Sequence, residues 1–197
     1  MRKRPSLKPK RINAVSTALL IVDLISDFEF EDGDALLKNA LPAARTIAAL
    51  KARAKKKGVP AIYVNDNFGK WQEDFKTMAD HFMKIDAKGR EVVETLRPAS
   101  DDYYILKPHR SAFYSTTLEL LLRELNVKSL ILTGVTADNC ILFTANDAYM
   151  RDFDLYIPAD CVSAVTLDYK KQAIKFISRV LKAETTASNH LTFFAKK

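Results

Sequence analysis

Two patterns of apolar and polar positions alternate along the chain. A short continuous apolar run at residues 18–22 fits a strand buried on both faces, as in a parallel sheet, and residues 61–64, 103–106, 129–133 and 155–157 read as four further strands. Between them lie stretches with apolar residues three and four apart, which fit helices packed by one face. Pro42 suits the first turn of such a helix; Ile47, Leu50 and Ala54 continue its face, and Gly58 and Pro60 stop it. Thr116 and Glu119 read as a capping box ahead of Leu118, Leu121, Leu122 and Leu125. Residues 138–151 and 169–180 read as two further helices, and 184–186 as a short sixth strand. The least regular stretch, 68–101, holds Trp71, a short helix over about 75–82 and a turn at Lys88-Gly89.

Strands and helices alternating at this spacing predict parallel βαβ crossovers. The expected fold is a three-layer α/β/α domain with a six-stranded, mainly parallel sheet in the order 3-2-1-4-5-6. In such folds sites lie beyond the carboxyl ends of the strands, at the switch point where the strand order reverses. That rule alone selects Asp23, residues 65–67, Lys107, residues 134–140 and residues 158–161.

Charge changes the picture less than its size suggests. The chain has 197 residues and a formal charge of +7, which invites a nucleic-acid reading. Residues 1–11 hold six bases and no acid, and the remainder has 25 bases against 24 acids. The excess therefore sits on a tail, and residues 1–13 are expected to be a flexible basic arm ahead of a single domain at 14–197. Two cysteines cannot form a disulfide framework and suggest a reducing, cytoplasmic setting. No apolar run is long enough to span a bilayer, and no signal-peptide core is visible.

Cys140 follows a strand and a glycine-containing turn and should sit in the opening turn of a helix. Unpaired backbone N–H groups there favour a thiolate and can hold an oxyanion. Cys161 lacks a helix start behind it and reads as packing. Asp23 ends the first strand, where a carboxylate is costly to bury unless paired, and it can serve as a base beside the thiol. Lys107 ends the third strand, and its ammonium would favour both charged partners. His109 is the rival base. No two histidines lie at ligand spacing, and no glycine-rich phosphate loop is present, so neither a metal nor another cofactor is expected.

Three segments together resemble the isochorismatase-like cysteine hydrolases: residues 19–28, residues 106–113 and residues 134–140, within a likeness that spans about 15–182. The resemblance implies a triad of Asp23, Lys107 and Cys140. It also implies a non-proline cis peptide at Val135-Thr136 and an oxyanion hole formed by the N–H groups of Thr136 and Cys140. Phe28, Asn67, Trp71 and Phe113 are the expected pocket lining. The chain departs from the family in three respects. The family usually has Gln where this chain has Ile25 or Ser26. The Asp-x-His metal motif of nicotinamidases is replaced by Asp66-Asn67-Phe68. The nucleophilic Cys missing from isochorismate hydrolases is present.

These readings lead to an expected cysteine-dependent hydrolase that cleaves a small amide, urea or carbamoyl C–N bond through a thioester. The expected partners are a small-molecule substrate and further copies of the chain in a homodimer or larger homo-oligomer, without membrane or nucleic acid. The alternatives are a catalytically idle binding or scaffold protein of the same fold, or nucleic-acid contact through the basic arm.

Overall fold

Every residue of the strand Thr17–Val22 is buried, and its side chains divide between two cores. Leu19 and Ile21 join one cluster, while Ala18, Leu20 and Val22 join another. This is the period of two expected of a strand covered on both faces. The computed structural model describes residues 9–67, 69, 80 and 87–195. Its elements, in chain order, are β1 (Lys10–Asn13), β2 (Thr17–Val22), α1 (Gly33–Lys55), β3 (Ala61–Asp66), α2 (Arg90–Thr95), β4 (Tyr103–Lys107) and α3 (Leu118–Glu124). They continue with β5 (Ser129–Val135), α4 (Cys140–Tyr149), β6 (Asp154–Tyr156), β7 (Val162–Ser163), α5 (Leu167–Val180) and β8 (Leu191–Phe194).

The main sheet runs β4-β3-β2-β5-β6, with β7 also paired to β5, and every pairing is parallel. Helices α1 and α2 cover one face and α3, α4 and α5 the other, which makes the three-layer architecture. The first five strand positions follow the expected order. The sixth differs: residues 184–186 contribute a single bridge, Tyr156 to Glu184. The extra strand is β7, which pairs with Gly134 and Val135 beyond the point where β6 stops pairing with β5.

Three other expectations are corrected. Residues 1–13 are not wholly a flexible arm, because Lys10–Asn13 pairs with β8 in a separate two-stranded sheet. Ile12 is buried there, and that burial outweighs the repulsion among the bases around it. Helix α1 begins at Gly33, so Pro42 lies inside it. Leu36 and Ala40 pack into the core before Pro42, alongside Ala44, Ile47, Leu50 and Ala54 after it, and this continuous face carries the helix through the hydrogen bond that proline cannot donate. The capping box does not form. Thr116 Oγ1 accepts from the Leu118 N–H, but Glu119 pairs with Arg151 at 2.8 Å. Of the helix expected over 75–82, Asp80 alone is among the described residues, and it is helical. No helix among the described residues is long and apolar enough to cross a membrane.

Candidate active site

The chain reverses direction across the sheet between β2 and β5, and the groups that can do chemistry gather at the carboxyl ends of these strands. Asp23 follows β2 directly with φ of 53°, and its N–H donates to the Val64 carbonyl at 2.9 Å. The Asp66 N–H, at the end of β3, donates to Asp23 Oδ1 at 2.8 Å. Asn65 is fully buried and holds the next stretch of loop, its Nδ2 donating to the Ile25 carbonyl at 2.8 Å. The carboxylate is thus fixed by the neighbouring strand before any charged partner is considered.

Lys107 closes β4 and is completely buried. Its Nζ lies 2.9 Å from Asp23 Oδ2, 3.5 Å from Asp66 Oδ2 and 3.6 Å from Cys140 Sγ. The structure therefore brings Asp23, Lys107 and Cys140 into one constellation and adds Asp66 to it. The sequence rule had selected residues 65–67 but gave a role only to Asn67. The signal for the other two was polar residues closing an otherwise apolar strand.

Cys140 is the first residue of α4. The preceding loop is anchored by Gly134 N–H to the Cys161 carbonyl at 2.9 Å and Ala137 N–H to the Ser163 carbonyl at 2.8 Å. The Val135-Thr136 peptide is cis. The Thr136 carbonyl accepts from both Asn139 and Ile141, each at 3.1 Å. Among the described residues, the N–H groups of Thr136 and Cys140 donate to no backbone acceptor outside regular elements.

Gly134 is required at its position. It sits opposite Val22 in the β2–β5 ladder with φ of 118°, and a Cβ there would lie 2.0 Å from the Val22 carbonyl oxygen. Only glycine lets the loop that carries Cys140 close this tightly on the residue before Asp23.

Burial pushes the Asp23 carboxyl upward, and Lys107, the thiol and the Asp66 N–H oppose it only in part. Asp23 is consequently a stronger base than a carboxylate in water. Burial pulls Lys107 down, but Asp23, Cys140 and Asp66 outweigh it and raise its pKa. Burial and the Asp23 charge push the Cys140 thiol up to about 12, despite Lys107 and Arg110. The thiolate suggested by the helix start is therefore not the resting form. The proton stays on sulfur with an acceptor beside it. Such a group is suited to nucleophilic attack assisted by a base.

The expected pocket lining fares differently. Phe28 is buried in the core under α1 and α2, with its ring 6.2 Å from that of Phe30. Phe113 is buried in the other core, 6.0 Å from the Phe153 ring. Both pack as core side chains, because these loops turn their aromatics inward to cover the sheet ends. Asn67 closes a turn, its Oδ1 accepting from the Gly69 N–H at 3.0 Å. Trp71 lies outside the described residues. The rival base His109 is exposed, with its ring 5.3 Å from that of Tyr114. Cys161 is fully buried in the core.

Comparison with known proteins gives the same answer as the architecture. The isochorismatase domain family matches residues 17–188. The chain belongs to the isochorismatase family. It is 38% identical over 174 residues to the uncharacterized isochorismatase family protein YaaI of Bacillus subtilis, covering 88% of this chain and 95% of that one. An isochorismatase family protein from Desulfovibrio vulgaris superposes with a TM-score of 0.72 at 27% identity, covering 88% and 95% of the two chains. The N-carbamoylsarcosine amidase of Thermoplasma acidophilum superposes with a TM-score of 0.67 at 26% identity, covering 88% and 97%. Among the described residues of this isochorismatase-family chain no group of three or more His, Cys, Asp or Glu could hold a metal ion, and Asp66 faces Lys107.

Proposed function

We propose that this isochorismatase-family protein hydrolyses the C–N bond of a small amide, urea or carbamoyl compound through a thioester on Cys140. The observation that carries the reading is the placement of Lys107 Nζ, 2.9 Å from Asp23 Oδ2 and 3.6 Å from Cys140 Sγ. The similar N-carbamoylsarcosine amidase is named for an activity of this class.

In the first half, Asp23 takes the thiol proton as sulfur attacks the carbonyl carbon. The N–H groups of Thr136 and Cys140 hold the oxygen of the tetrahedral species. Collapse breaks the C–N bond, and Asp23 returns its proton to the departing amine. In the second half, Asp23 removes a proton from water as that water attacks the thioester carbon. The C–S bond breaks, the acid product leaves, and the proton passes to the Cys140 sulfur. Lys107 keeps its proton throughout and offsets the negative charge that moves between carboxylate and sulfur.

The test is release of ammonia or amine across a panel of small amides, ureas and carbamoyl compounds. Cys140→Ala should abolish turnover with little change in Tm, and Cys161→Ala should remain active. Persistent turnover in Cys140→Ala, or loss only in Cys161→Ala, would overturn the assignment.

A further inference from the structure

One charged side chain of the loop after β4 has no partner among the described residues. From Lys107, whose Nζ meets Cys140 Sγ, the chain runs along α4 to two staples. The Ala112 N–H donates to Thr144 Oγ1 at 3.0 Å, and Ser111 Oγ donates to the Asp147 carboxylate. Thr144 lies one helical turn beyond Cys140 and so on the same face. The segment between Lys107 and Ala112 is therefore pinned at both ends beside the reactive sulfur.

Arg110 lies in that segment. It is exposed, and among the described residues its guanidinium has neither a hydrogen-bond nor an ion-pair partner. Ser111 and Ala112 are both buried next to it, so the backbone that carries Arg110 is ordered rather than a loose tip. Its charge is felt at the sulfur, where it acts to lower the Cys140 pKa. Asp23, Asp66 and Lys107 carry a formal charge of −1 between them, which would repel an anionic substrate. The positive charge of Arg110 offsets that −1, and a guanidinium is the side chain best matched to a planar carboxylate.

We infer that Arg110 is a specificity-determining residue and that the substrate is an amide, urea or carbamoyl compound bearing a carboxylate. This rests on the hydrolytic reading above and narrows it. A monoanion suits the site better than a dianion, because the two acidic side chains already present oppose a second negative charge.

The experiment compares matched pairs, succinamic acid with its methyl ester and N-carbamoylglycine with its methyl ester, on the wild type, Arg110→Gln and Arg110→Lys. The wild type should favour the acid of a pair by roughly tenfold to a hundredfold in kcat/KM. The ratio should collapse towards one in Arg110→Gln, mainly through KM, and recover in part in Arg110→Lys. Equal rates on acid and ester, or a preference that survives Arg110→Gln, would overturn the inference and leave the hydrolytic reading standing. If the wild type turns over none of the four, that reading fails for them. Calorimetric titration of the Cys140→Ala protein then decides the inference. Acids that bind at least tenfold tighter than their esters, with the difference lost in Cys140→Ala/Arg110→Gln, support it; equal or absent binding overturns it.

Discussion

Lys107 reaches Asp23 across an intervening strand. β4 pairs with β3, and β3 pairs with β2, yet Lys107 Nζ stands 2.9 Å from the carboxylate that follows β2. The side chain passes the end of β3, where Asp66 Oδ2 flanks it at 3.5 Å. A fully buried ammonium is tolerated because two carboxylates meet it.

The pairing gives an unequal response to mutation. Lys107→Met leaves Asp23 and Asp66 facing each other without a cation, and should cost about 3 kcal/mol. Adding Asp23→Asn removes one of the stranded charges and should restore part of that loss, so the two effects will not add. Urea unfolding of both single variants and the double variant measures this. Additive losses would mean that the ion pair does not couple the two strands.

The thiol makes stability fall on the alkaline side. The unfolded Cys140 titrates near its ordinary value of 9.0, and the folded one at about 12. Between these values the folded protein binds more protons than the unfolded chain, so unfolding free energy decreases as pH rises. Each buried thiol of this kind contributes up to about 1.4 kcal/mol per pH unit in that window. Cys161 is pushed up to about 12 as well, by burial and Asp160. Cys140→Ser should flatten the decline between pH 9 and 11 without abolishing it. Parallel wild-type and variant curves from denaturant titrations would contradict the shift.

The sequence carried the architecture because it is written in periods. β2 and β5 are built around the apolar runs 18–22 and 130–132, and such runs are legible when both faces of a strand are buried. Asp23, Lys107 and Cys140 were legible for a related reason, since each stands at or just beyond the carboxyl end of a strand. What did not read through was pairing. Asp66 looks like an ordinary turn residue until the sheet order places it against Lys107. Phe28 and Phe113 look like pocket walls, yet they turn into the core, and a loop's sequence does not encode that direction. β1 was hidden because one buried residue, Ile12, is surrounded by bases that suggest a solvated tail. Pro42 masked the start of α1, because the apolar face that overrides it extends on both sides.

Gly134 and Gly58 give a controlled comparison. Both have positive φ, but Gly58 has open space where a Cβ would stand, whereas at Gly134 the Cβ meets the backbone of Val22. Gly58→Ala should cost about 1 kcal/mol, the usual penalty for a left-handed alanine. Gly134→Ala adds a clash that only movement of β5 away from β2 can relieve. It should lose about 2–4 kcal/mol in all and also turnover, because that movement separates Asp23 from Cys140. Equal costs at the two positions, measured by thermal unfolding, would show that the β2–β5 contact is looser than the structure has it.

Ile12 tests whether the small β1–β8 sheet belongs to the domain. It is 1% exposed and lies in the same core cluster as Leu191, Leu50 and Ala54. Arg53 of α1 fixes the other strand by donating to the Ser188 and Leu191 carbonyls at 2.8 and 3.0 Å. Truncating the isoleucine removes apolar atoms from a packed site and leaves a cavity, so Ile12→Ala should cost about 2–4 kcal/mol. Arg11→Ala, one residue earlier and exposed, loses a stacking contact with Phe194 at 4.7 Å and should cost about 1 kcal/mol or less. Chemical unfolding of the pair separates the two cases. A negligible effect of Ile12→Ala would return residues 10–13 to the status of a tail.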